Sequence, residues 1–137
     1  MLFRSTHDRK VDLIESRVGP YGQVVTVGRH VFVADEPAEL GGRDSGPAPY
    51  ELVLAGLGAC TAMTLRMYAS RHGWPVEKIG VELQHDKTAD GGDRFERVIT
   101  LTGPLSDEQR SRLLDIAEKC PVSRTLKRGS TVSSRLA

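Results

Sequence analysis

The chain has 137 residues, a formal net charge of +1 and 5% aromatic residues. That length fits a single domain, residues 1–137, able to bury a core without disulfide staples. The near-neutral balance gives no electrostatic case for nucleic acid or an anionic membrane as main partner, and so few aromatics argue against a base-stacking surface.

The opening, Met1-Leu-Phe-Arg-Ser-Thr-His-Asp-Arg-Lys10, is mixed and polar and lacks a secretory pattern. The longest apolar run falls short of the ~20 residues that span a bilayer, so a soluble cytoplasmic protein is expected. In a reducing compartment a cysteine pair is more often reactive or metal-binding than a static staple. Metal is not expected, because there is no C-x-x-C and the four histidines (His7, His30, His72, His85) show no ligand spacing.

Three strands are expected first: Val11–Val18, Gln23–Val27 and Val31–Ala34. Turn chemistry separates them at Gly19-Pro-Tyr-Gly22 and Gly28-Arg-His30. A long loop follows from Asp35 to Ala48, and long ordered loops are often functional. Asp8, Asp35, Glu36 and Glu39 read as turn and surface charges. Pro49 suits the first turn of a helix that runs from Tyr50 to about Arg71, with His72-Gly73 as the stop. Through Met63 this helix is apolar all round, which predicts burial on every side. Gly56 and Gly58 each cost about 1 kcal/mol relative to Ala, which close packing against another backbone would offset.

Ile79–His85 and Phe95–Leu101 alternate around Asp90-Gly-Gly-Asp93 and read as an antiparallel pair. Ser106-Asp-Glu-Gln109 is a capping box opening a helix with Leu113, Leu114, Ile116 and Ala117 on its apolar face. Pro121–Leu126 reads as a second short helix, and Ser130–Leu136 as a final strand. Strands in blocks around one apolar helix make an α+β fold rather than a βαβ sheet.

The candidate chemistry lies in Cys60 and Cys120. Taken alone, Cys60 in its apolar run is more often a small buried hydrophobe. Cys120 precedes Pro121; if Pro121 is the first helical residue, Cys120 is the N-cap and its sulfur faces unpaired N–H groups. Glu51 stands in the first turn of the long helix, where a carboxylate is favourable on electrostatic grounds alone. A guanidinium near Cys60 would stabilise its thiolate. Arg43 is nearest in sequence, with Arg29 and Arg124 as rivals.

Pro47-Ala-Pro-Tyr-Glu-Leu-Val-Leu-Ala-Gly-Leu-Gly-Ala-Cys-Thr-Ala-Met63 resembles the first cysteine motif of the OsmC/Ohr family, the osmotically inducible and organic-hydroperoxide-resistance proteins. Glu118-Lys-Cys-Pro-Val-Ser-Arg-Thr-Leu126 resembles the second. The wording is closer to the OsmC-like branch. The resemblance implies the OsmC-type α+β fold: antiparallel sheets around a long buried central helix, in an intertwined homodimer. It also implies that the two cysteines meet in a pocket, Cys60 as peroxidatic residue and Cys120 as resolving residue. Where the family's peroxidases carry a Glu ten residues before the first cysteine, this chain has Tyr50, and Glu51 comes one position later.

The activity so implied is a thiol-dependent peroxidase. Cys60 would reduce an organic hydroperoxide and form a disulfide with Cys120, which a dithiol reductant then opens. Arg43 would hold the thiolate, and Glu51 or Tyr50 would orient the arginine. Leu52, Leu57, Met63 and Met67 would form an apolar pocket. No cofactor is needed, since sulfur carries the redox chemistry. The alternatives are an OsmC-like dimer that binds a hydrophobic ligand, and one that senses redox state without turnover.

Overall fold

A computed structural model describes residues 9–137. The opening segment, with His7 and Asp8, lies outside the described residues. The chain forms two compact units, one ending at Ala55 and the other beginning at Gly56.

The first unit holds an antiparallel meander of β1 (Val11–Glu15), β2 (Gln23–Val27) and β3 (His30–Ala34), with β2 central. Val27 pairs with His30 across a two-residue loop, and Gly28 there has φ 58°, the positive value such a hairpin needs at its first loop position. The loop after β3 contains a single 3-10 turn, Ala38–Leu40.

Asp35 is not the surface charge expected, being only 3% exposed. Its carboxylate accepts hydrogen bonds from the backbone N–H groups of Glu36 (2.8 Å), Arg43 (3.2 Å) and Ser45 (3.2 Å), and from Ser45 Oγ (2.6 Å). Four donors compensate the lost hydration and close the loop on itself. The Ser45 hydroxyl bond, above all, holds the Asp35 carboxyl below its usual range.

Helix α1 (Pro49–Arg71) begins at the proline and ends before Gly73, whose φ of 64° is the left-handed cap that glycine accommodates. Its burial differs from expectation. Leu57, Gly58, Cys60, Thr61, Thr64, Leu65 and Ala69 form one buried stripe, while Met63 is 54% exposed. The other positions of the helix are half-buried or exposed. A Cβ on Gly58 would sit 2.7 Å from Leu83 Cδ1, so the close neighbour is a side chain and not a backbone, whereas among the described residues a Cβ on Gly56 would meet nothing within 4 Å. By length and composition α1 could cross a membrane, contrary to the expectation from its apolar run; in this fold it contributes Leu65 and Ala69 to the core.

The second unit adds the hairpin of β4 (Lys78–Lys87) and β5 (Asp93–Thr102), in register from Lys78↔Thr102 to Lys87↔Asp93. Alternation sends Phe95, Arg97, Ile99 and Leu101 of β5 inward. Helix α2 (Asp107–Ala117) opens on the expected capping box: Ser106 Oγ accepts from Gln109 N (3.1 Å) and Gln109 Oε1 accepts from Ser106 N (3.0 Å). Leu65, Ala69, Val76, Leu113, Ile116 and Ala117 form the main core. Helix α3 (Pro121–Arg128) follows.

The final strand expected over Ser130–Leu136 does not form. The segment is irregular, with Val132 88% and Leu136 96% exposed. A β-pattern makes a strand only where a free edge accepts it, and no described strand pairs with this one.

Candidate functional site

Cys60 and Cys120 are brought together. Both are free thiols in one buried cluster with Leu57, packed by Leu83, Phe95, Val122 and Leu126. Cys60 is 9% exposed and Cys120 is fully buried. The local reason is a shared helix end. Pro121 starts α3, where its missing N–H costs nothing, and the next two amides are unpaired within the helix. Ser123 N–H donates to Cys120 Sγ at 3.4 Å, which makes Cys120 the N-cap. Val122, on the same turn, packs against the cluster that holds Cys60.

Burial pushes the Cys60 thiol above its ordinary value. The Val122 N–H opposes that rise, while the charge and hydrogen bond of Cys120 add to it. The Thr64 hydroxyl, one turn beyond Cys60, opposes it least. Two sulfurs this close disfavour double ionisation.

The cation beside the thiols, within their own unit, is Arg97, which the sequence reading missed. Its Nη1 donates to Thr61 Oγ1 (3.0 Å) and the Ala117 carbonyl (3.1 Å) and lies 3.8 Å from Cys120 Sγ. Its Nη2 donates to Glu118 Oε2 (3.0 Å) and Ser123 Oγ (3.3 Å). Thr61 Oγ1 in turn donates to the Leu57 carbonyl at 2.7 Å. Glu118 also receives Lys127 Nζ at 2.5 Å, and that bond is the main cause holding its carboxyl below its usual value. The signal for Arg97 was present in the alternation of β5, where it occupies an inward position between Phe95 and Ile99.

Of the other expected site residues, Arg43, Arg29 and Glu51 lie in the first unit. Arg43 is exposed, with its backbone N–H on Asp35 and its side chain against Gly19. Glu51 Oε1 accepts the Ala48 N–H at 2.7 Å, half of a capping box and the electrostatic role open to any carboxylate in a first turn. Arg29 sits in the β2–β3 loop, and Arg124 is exposed on α3. Among the described residues no cluster of three His, Cys, Asp or Glu side chains could hold a metal.

A cavity of about 520 Å³ adjoins this network, with Leu57, Phe95, Ile99, Leu114 and Leu126 as apolar wall and Arg97 on its polar side. Met63 and Met67, expected beside Leu57, line a separate groove of about 430 Å³ with Arg66 and Ile79.

The structure is similar to an OsmC-like protein from Mycoplasma pneumoniae (TM-score 0.76, 17% identity, 89% of each chain covered). It is also similar to an organic hydroperoxide resistance protein OsmC from Legionella pneumophila (TM-score 0.66, 23% identity, 90% of this chain and 92% of that one). A third similar structure is the organic hydroperoxide resistance protein OhrB of Bacillus subtilis (TM-score 0.61, 24% identity, 88% and 91%). At these identities the likeness carries the fold. No curated relative matches the sequence. The OsmC-like protein family profile matches residues 42–135, a span that includes both cysteines, Arg97 and the helix end they share. The chain belongs to the OsmC-like family.

Proposed function

We propose that this protein is a thiol-dependent peroxidase that reduces organic hydroperoxides. The observation that carries the proposal is the pairing of Cys60 with Cys120 in one buried cluster at the N-terminus of α3. Family membership and the hydroperoxide-resistance neighbours support the same chemistry.

Cys60, the more exposed of the two sulfurs, attacks the distal oxygen of the hydroperoxide as a thiolate. The O–O bond breaks, the leaving alkoxide takes a proton and departs as the alcohol, and Cys60 becomes a sulfenic acid. Cys120 displaces water from that sulfur and forms the disulfide, which an external dithiol reduces. Because burial and Cys120 raise the Cys60 thiol, the attack needs a cation at Cys60. Arg43 is assigned that role and Glu51 its orientation. The apolar wall around Leu57 suits an organic peroxide over hydrogen peroxide.

The working form is proposed to be a homodimer, one OsmC-like domain per chain, in the cytoplasm where dithiol reductants are available. Its support is the apolar side chains that one chain leaves exposed: Leu13, Ile14, Val31 and Phe32 on the strands, and Val53 and Met63 on α1.

Turnover tests the proposal. Purified protein with cumene hydroperoxide and dithiothreitol should consume many equivalents of peroxide per chain. Consumption of none would make it a binding protein, and an arrest after one equivalent would make it a sensor.

A further inference from the structure

Cys120 is fully buried, so it meets no bulk reagent directly, yet the donors of the site converge on it. Arg97 Nη1 at 3.8 Å and Ser123 N–H at 3.4 Å both face its sulfur. Arg97 is held from several sides: Thr61 on α1, the Ala117 carbonyl at the end of α2, Glu118 beyond it, and Ser123 on α3. A guanidinium only 11% exposed and fixed by acceptors on different elements is preorganised rather than recruited.

We propose that Arg97 acts on the second half of the cycle, activating Cys120 as the resolving nucleophile and stabilising it as the leaving group when the disulfide is reduced. The inference rests on the peroxidase reading for its first half and is independent of it for the second. In resolution, a sulfur lone pair of Cys120 forms the S–S bond to Cys60, the Cys60 S–O bond breaks, and the hydroxide leaves with the Cys120 proton as water. Arg97 remains protonated throughout, because a guanidinium is not a proton acceptor in a protein. Its contribution is the charge it sets against sulfur. Once Cys60 is a neutral sulfenic acid, Cys120 is the sulfur that faces the cation, which is already in place. In the reverse sense, dithiothreitol attacks the more exposed Cys60 sulfur and Cys120 departs as a thiolate, so the same contact speeds reduction.

Two measurements on the full chain separate this role from a structural one. In a single turnover with cumene hydroperoxide, Arg97→Gln should still consume the first equivalent of peroxide. Disulfide formation should slow about tenfold or more, with Cys60 sulfenic acid trapped by dimedone. Arg97→Lys, which keeps the charge, should recover part of the rate and serves if the Gln variant fails to fold. Independently, the Cys60–Cys120 disulfide, formed with any thiol oxidant, should be reduced by dithiothreitol about tenfold more slowly in the variant. Slower reduction in a protein that consumes no peroxide would uphold the role of Arg97 and defeat the peroxidase reading. Wild-type rates of both disulfide formation and reduction in folded Arg97→Gln would overturn the inference and leave the peroxidase reading intact. Loss of the first peroxide equivalent would also overturn it, by placing Arg97 in the attack itself.

Discussion

Arg97 Nη1 stands 3.8 Å from Cys120 Sγ, 23 residues along the chain, and the same nitrogen holds Thr61 and the Ala117 carbonyl. One cation thereby ties α1, the end of α2 and the start of α3 around the thiols. Replacing it by Met should leave buried acceptors unpaired and cost about 1–3 kcal/mol in urea denaturation. Arg97→Lys should cost less. A Met variant as stable as wild type would show that these acceptors find water instead.

Arg43 is expected to offset the raised Cys60 thiol. Burial first, then the charge of Cys120, keep that group protonated at neutral pH, so its thiolate fraction grows as pH rises. Arg43→Ala should therefore consume peroxide about tenfold more slowly at pH 7 and approach the wild-type rate as the pH is raised past the Cys60 titration. Superimposable pH–rate profiles would remove Arg43 from the site.

The β3–α1 loop should be acid-sensitive through Asp35. Its folded carboxyl is held below 3.8, chiefly by the Ser45 hydroxyl, so its stabilisation is complete above that value and is lost as pH falls through the folded one. Amides of Arg43 and Ser45 should lose hydrogen-exchange protection over that acid range. Asp35→Asn should show the lower protection already at pH 7. Equal protection in variant and wild type would mean the backbone alone holds the loop.

Much of the fold was legible because local chemistry agreed with tertiary structure. The capping box at Ser106 and the Gly28 hairpin formed as read, and Pro121 made Cys120 an N-cap. Three features were hidden for physical reasons. Arg97 looks like an ordinary strand charge until the partners of an inward guanidinium, drawn from Thr61 to Ser123, are assembled by folding. Asp35 reads as a turn residue because its donors at Arg43 and Ser45 come from the far end of its loop. Ser130–Leu136 has a strand's pattern, but pattern does not supply an edge to pair with.

Gly56 tests the proposed homodimer. Among the described residues beyond its own helix turn, nothing lies within 4 Å of a Cβ there, so a larger side chain has room in the isolated subunit. If a second copy packs on this face of α1, Gly56→Leu should weaken self-association at least tenfold by sedimentation equilibrium while helicity by circular dichroism is retained. An unchanged dimer would place the interface elsewhere, and a wild-type monomer at micromolar concentration would remove it.

The most direct test of the central claim is stoichiometric titration of Cys60→Ser and Cys120→Ser with an organic hydroperoxide, read by peroxide loss and by mass spectrometry after thiol blocking. The wild type should form an intrachain Cys60–Cys120 disulfide. Cys60→Ser should consume no peroxide, because the attacking sulfur is gone. Cys120→Ser should consume the first equivalent and then climb to sulfinic acid for want of a resolving thiol. A Cys60→Ser protein that keeps the first turnover while Cys120→Ser loses it would reverse the two roles, and two variants indistinguishable from wild type would contradict the peroxidase account altogether.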